Sequence, residues 1–104
     1  MIVIVVRNRL VPGVQDEYGP VAMEMSELAR RMPGYISHKG FVAEDGERVT
    51  IVEFESEEAL QEWKVDPRHL EAKRLGFTKF YTAIRYQICQ VISTRSWESK
   101  AGKP

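Results

Sequence analysis

The strands written into this sequence are apolar on both faces, and that feature limits the fold more than any other. Residues Ile2 to Val6 read Ile-Val-Ile-Val-Val. Side chains alternate across a strand, so Ile2, Ile4 and Val6 share one face and Val3 and Val5 the other. Further along, Val49 and Ile51 oppose Val52 and Phe54, while Ile84, Tyr86 and Ile88 oppose Cys89 and Val91. A sheet with one face in water alternates apolar and polar residues instead. These strands therefore need cover on both sides. At 104 residues the chain supplies one domain, so it has few elements to provide that cover.

The elements follow from pattern and punctuation. β-branched residues dominate Ile2 to Val11, which predicts a strand broken by Pro12-Gly13. Val14, Tyr18, Val21, Ala22, Met25, Leu28, Ala29 and Met32 then recur at three- and four-residue steps, the stripe of an amphipathic helix. Pro20 predicts that its regular part begins near Gly19, after a looser turn. Pro33-Gly34 closes it. Tyr35 to Ala43 and Glu47 to Glu55 read as strands joined through Glu44-Asp45-Gly46, because Asp-Gly favours a tight hairpin. Ser56 is a predicted N-cap, and Ala59, Leu60 and Trp63 form the buried face of the next helix. Asp66-Pro67 restarts the chain as a second helical piece that Gly76 is expected to stop. Phe77 to Ala83 leads into the last strand, Ile84 to Ser93. Residues 1–95 form the single predicted domain, and 96–104 a flexible tail.

The order β-α-β-β-α-β is the ferredoxin-like arrangement, an α+β fold whose four-stranded antiparallel sheet carries helices on one face. Helices on one face leave the other open. A second copy packed sheet to sheet, as a twofold homodimer, is the simplest closure.

Composition excludes several classes of function. Lysine plus arginine total 15 and so do aspartate plus glutamate, so nucleic acid is not an expected partner. No apolar run approaches the roughly 20 residues of a membrane span, so no membrane partner is expected. The apolar start lacks the basic and small-residue flanks of a signal peptide, and a reducing cytoplasm is the expected compartment. Cys89 is the one cysteine, which excludes an internal disulfide, and its mid-strand position predicts a small buried hydrophobe. With only His38 and His69, no metal site is expected. No glycine-rich phosphate loop is present.

A few residues could carry chemistry, each against a plainer reading. Trp63 is core packing, or the wall of a site for a flat aromatic ligand with its indole N–H as donor. Asn8 shares a face with Ile4 and Val6, where an amide needs either a backbone partner or a substrate oxygen. His69 is a surface residue near a helix start, or a proton carrier near neutral pH. His38, within a strand, reads as structural. Tyr81 and Arg85 flank the start of the last strand; Arg85 either pairs with an acid such as Glu53 or anchors an anionic ligand. The balanced total hides polarity, since Glu44 to Glu62 is acidic and Lys64 to Arg85 basic.

The run Met32-Pro33-Gly34-Tyr35, the phrase Glu53-Phe54-Glu55-Ser56-Glu57-Glu58-Ala59-Leu60, then Trp63 and Asp66-Pro67-Arg68-His69 together resemble the antibiotic biosynthesis monooxygenase superfamily. The likeness runs from about Ile2 to Val91. It implies a dimeric α+β barrel with a pocket between each sheet and its own helices. Some members oxygenate polycyclic phenols without metal or flavin, because an electron-rich, deprotonated substrate can itself reduce dioxygen. By position, Trp63 would contact the rings and Asn8 a substrate or peroxide oxygen. His69, Tyr81 and Arg85 would move protons or steady an oxyanion. The resemblance thus implies a cofactor-independent monooxygenase acting on a phenolic, quinol or polycyclic aromatic ligand, with no cofactor. A non-catalytic ligand-binding or stress-associated dimeric module on the same scaffold is the alternative. A haem-degrading branch is similar at Arg7-Asn8-Arg9-Leu10 and Trp63, but its iron-ligating histidine falls near Lys73, one helical turn past His69.

Overall fold

β1 (Ile2–Leu10) takes the centre of the sheet because both of its faces are apolar. The computed structural model describes residues 1–100. After β1 come α1 (Gln15–Arg31), β2 (Tyr35–Val42), β3 (Arg48–Phe54), α2 (Glu57–Val65), α3 (Pro67–Leu75) and β4 (Tyr81–Gln90). The four strands are antiparallel in the order β2-β3-β1-β4. This is the α+β, ferredoxin-like sheet that the sequence predicts.

Register decides what each face carries. Ile4 stands between Val52 and Ile88, and Asn8 between Arg48 and Ile84. On this face lies the core of Ile2, Ile4, Val52, Phe54, Ala59 and Leu60, with Phe54 fully enclosed at 0% exposure. Leu28 and Ala29 of α1 are buried as well. Each large side chain here contributes about 1.5–3 kcal/mol by leaving water. The opposite face carries Val3, Val5, Val49 and Ile51, all only partly covered, and Phe41, which is exposed. Cys89 is exposed on this face too, and not buried as its neighbours suggest, because no helix of its own chain lies there.

The caps behave as chemistry requires. Ser56 Oγ accepts the Ala59 N–H at 3.2 Å, and an Asp66 carboxylate oxygen accepts the Arg68 N–H at 2.9 Å with Pro67 in the first turn. In the β2–β3 hairpin only Gly46 is left-handed, at φ 89°. Its N–H reaches Ala43 O at 2.9 Å, and Ala43 N–H reaches Glu47 O at 2.8 Å, a three-residue loop with one glycine bulge.

Two further expectations need correction. Pro20 does not delay α1, which is continuous from Gln15. Proline removes a single N–H donor near the start of the helix, and Gly19 before it has no Cβ for the proline ring to strike. Gly76 does not end its helix through a left-handed turn. Its φ is −56°, and the chain runs on into a π-helical turn, Gly76–Phe80, closed by Tyr81 N–H to Gly76 O. Glycine is required there for space, because a Cβ would run into the Tyr81 ring. That turn lets β4 start at Tyr81, three residues before the predicted Ile84, and end at Gln90. Of the predicted tail, positions 101–104 lie outside the described residues.

Candidate functional site

The three helices do not close completely on the sheet. A cavity of about 240 Å³ remains between α1, α2, α3 and the face of β1, β3 and β4. Its walls are mostly aliphatic and aromatic. A roughly 150 Å³ apolar cavity accepts one benzene ring, so this one has room for a fused ring system of two or three rings.

Asn8 and Trp63 both line this cavity. Asn8 is brought there by strand parity: it follows Ile2, Ile4 and Val6 on the helix-facing side of β1 and is only 4% exposed. Trp63 comes from α2, one turn after Leu60, and packs on Phe54 with ring centroids 5.6 Å apart. Asn8 Oδ1 and Trp63 Nε1 are both buried without any hydrogen-bond partner. Native interiors rarely leave such atoms unpaired, since each forfeits about 1–3 kcal/mol. Here an unpaired acceptor and an unpaired donor belong to two residues that line the same cavity.

His69, Ala72 and Lys73 of α3 line the cavity together, as their shared helix face requires. The His69 ring lies against Trp63 with centroids 4.2 Å apart. Its Nδ1 is 3.5 Å from Lys64 O. A carbonyl only accepts, so this contact holds the proton on Nδ1 and leaves Nε2 with a free lone pair. Burial pushes the His69 pKa below its ordinary value; the Lys64 carbonyl and Asp66 oppose the shift, and the Lys73 and Lys64 charges reinforce it. A neutral imidazole next to the tryptophan is suited to accept a proton.

Tyr81 also reaches the cavity, at its α1 end. Burial, then the neighbouring Tyr18 with its hydrogen bond, drive its phenol pKa upward. Tyr81 is thus a lasting proton donor and not a base. Arg48 holds Tyr18 from the other side, 5.5 Å above its ring.

Arg85 is not in this site. It pairs across the sheet with Arg7, between Ile84 and Tyr86, and so projects from the opposite face. The expected partner Glu53 is also excluded, because it pairs with Val3, four residues from Arg7 along β1, and accepts from Ser37 instead. Strand parity carried this signal, since Ile84, Tyr86 and Ile88 share the face that Arg85 lacks.

Three cavity residues that can carry positive charge have no site role in the sequence analysis. His38 lines the cavity from β2, and its Nδ1 is 2.7 Å from Tyr35 Oη. Burial and then Arg30 lower its pKa. Lys64 and Lys73 are the others. Lys73 Nζ reaches Tyr86 Oη at 3.5 Å, spanning from α3 to β4. Lysine therefore occupies the place of the haem-branch histidine. A protonated amine offers iron no lone pair, so the residue at that place does not fit a haem.

Among the described residues no group of three or more His, Cys, Asp or Glu is placed to hold a metal ion. Among them, too, no helix is long and apolar enough to cross a membrane.

The fold matches solved structures along most of its length. Rv0793 from Mycobacterium tuberculosis superposes with a TM-score of 0.80 at 18% identity, covering 91% of this chain and 98% of that one. SnoaB, a cofactor-independent oxygenase from Streptomyces nogalater, superposes at 0.74 with 17% identity, covering 89% and 94%. By sequence, YqjZ of Bacillus subtilis is 26% identical over 81 residues, 78% of this chain and 71% of that protein. The family model described as antibiotic biosynthesis monooxygenase matches residues 1–75, nearly three quarters of the chain and the segment that carries Asn8, Trp63 and His69. The chain belongs to the antibiotic biosynthesis monooxygenase family.

Proposed function

We propose that this protein is a cofactor-independent monooxygenase for a phenolic, quinol or polycyclic aromatic substrate. The observation that carries the reading is the pair of unpaired buried atoms, Asn8 Oδ1 and Trp63 Nε1, on two residues that line one largely apolar cavity together with His69. Flat rings would fill the space between Trp63 and the sheet. The Trp63 N–H would donate to a substrate oxygen, and Asn8 Oδ1 would accept from a hydroxyl or hydroperoxide. His69 Nε2 would take a proton from the substrate, raising its electron density so that it reduces dioxygen directly. For a ring CH₂ the balance is closed: one oxygen atom becomes the carbonyl, the other leaves as water with the two hydrogens, and the substrate supplies the electrons. Tyr81, held protonated, would donate to developing negative charge. The dry walls would keep water from the reactive intermediate.

The working unit in this reading is a cytoplasmic homodimer joined through the sheet faces. Its support is the partly covered row of Val3, Val5, Val49 and Ile51 opposite the helices. The test is aerobic oxygen uptake by chelator-treated protein against quinols, anthrones and phenols, with haem added as a control. Uptake coupled to product supports the reading. Saturable ligand binding without uptake identifies a binding module instead, and a Soret shift with haem degradation would overturn the choice between branches.

A further inference from the structure

The chain carries equal numbers of acidic and basic residues, 15 of each, yet no aspartate or glutamate lines the cavity, while Lys64 and Lys73 do. Both lysines stand at the His69 end. Lys64 precedes the α2–α3 junction, and its carbonyl holds His69. Lys73 lies one turn beyond His69 on α3, with its ammonium 5.5 Å from the centre of the Tyr86 ring and 3.5 Å from its hydroxyl. The Tyr86 ring belongs to the cavity wall, so the charge is held at the rim. Neither lysine has an ion-pair partner among the described residues.

The nearest acids are committed elsewhere. Asp66 accepts the Arg68 N–H as the α3 cap, and Glu71 is held by Nη2 and Nε of Arg74, at 2.6 and 3.0 Å. The lining at this end of the cavity thus has two cations and no carboxylate, with Asp66, outside the lining, the acid that His69 feels. Its remaining walls are mostly apolar, which lowers the local dielectric and strengthens the field on anything bound inside.

We propose that the ligand is a planar aromatic anion, with its carboxylate or phenolate oxygen between Lys64 and Lys73 and its rings reaching inward beside Trp63. The inference rests on the cavity being the substrate site proposed above, and it names the charge that the substrate brings. A phenol would be bound as phenolate, the electron-rich form that reacts with dioxygen. An aromatic acid would be anchored by its carboxylate, leaving a second position open to oxidation.

The test uses three ligands sharing one ring system: 2-naphthoate, a fixed anion; 2-naphthamide, its neutral counterpart; and 2-naphthol, which can ionise. Calorimetric titration at pH 7 is expected to show naphthoate binding at least fivefold tighter than naphthamide. Lys64→Met and Lys73→Met should each remove most of that preference while leaving naphthamide unchanged. Neither lysine is buried or ion-paired among the described residues, so the variants should fold, and circular dichroism checks this. A lysine-dependent naphtholate absorption band on binding would show that the anion arises from a phenol; preference for naphthoate alone would show a carboxylate anchor. Without a naphtholate band, naphthamide binding as tightly as naphthoate, or no naphthoate binding at all, overturns the proposal, as does an equal loss for all ligands in the lysine variants. Anion preference without oxygen uptake would leave this inference standing and remove the monooxygenase. Oxygenation of neutral substrates at rates indifferent to both lysines would do the reverse.

Discussion

Replacing Asn8 with leucine should make the protein more stable while disabling it. The side chains are similar in size, so the substitution removes an amide without opening a hole. Asn8 is 4% exposed and its Oδ1 has no partner. Keeping that atom dry and unpaired forfeits about 1–3 kcal/mol. Leucine removes this loss and suits a central strand better. Its branched end extends toward a cavity of about 240 Å³, so strain from overpacking stays small. The net gain should be about 1–2 kcal/mol, a melting point higher by at least about 4 °C for a domain of this size. Urea unfolding at fixed protein concentration measures it, since dimerisation would make apparent stability depend on concentration. In the same variant, oxygen uptake and naphthol affinity should fall at least tenfold. A variant less stable than the parent by more than about 1 kcal/mol would mean that Asn8 holds the fold together. Unchanged ligand affinity would mean that its carbonyl does not face the ligand.

Other outcomes follow from the same geometry. Trp63→Phe keeps a ring against Phe54 and loses only the indole donor and part of the surface, so ligand affinity should drop about tenfold while stability changes by less than about 1.5 kcal/mol; equal affinity by calorimetry would remove the indole from the site. Both histidines have folded pKa values below the unfolded value of about 6.5, so the unfolded chain binds more protons between the two. Stability should therefore be full above about pH 7 and fall as pH drops below about 6.5. His69→Gln should flatten that slope in urea titrations, and an unchanged slope would mean that His69 is not buried neutral. Gly76→Ala should destabilise by about 1–3 kcal/mol despite alanine's better helix propensity, because the new methyl meets the Tyr81 ring, and Tyr81→Val should restore most of the loss. Val3→Lys with Val5→Lys should give monomers or insoluble protein in sedimentation; an intact dimer would place the interface elsewhere.

Much of this architecture is legible in residue order. The apolar, β-branched runs of Ile2 to Val6 and β3, the Ser56 and Asp66 caps and the Asp45-Gly46 turn each have local physical causes, so sequence alone exposes them. Asn8 and Trp63 are legible for a related reason: a polar atom at an apolar position is an anomaly that periodicity makes visible. What escapes is non-local. The reach of Lys73 to Tyr86 depends on how α3 lies over β4, and His38 enters the cavity through the pairing of β2 with β3. The π-helical turn is invisible because Gly76 answers to the Tyr81 ring and not to a backbone preference. Arg85 is different, since strand parity alone places it away from the helices.

Oxygen labelling tests the central claim most directly. Chelator-treated protein would be given an anthrone-type substrate under heavy dioxygen, and the product examined by mass spectrometry. The account predicts one heavy oxygen atom per product molecule, formed in proportion to dioxygen consumed and lost in Asn8→Leu although that variant is folded. Unlabelled product, or equal labelling by the parent and the variant, would contradict it.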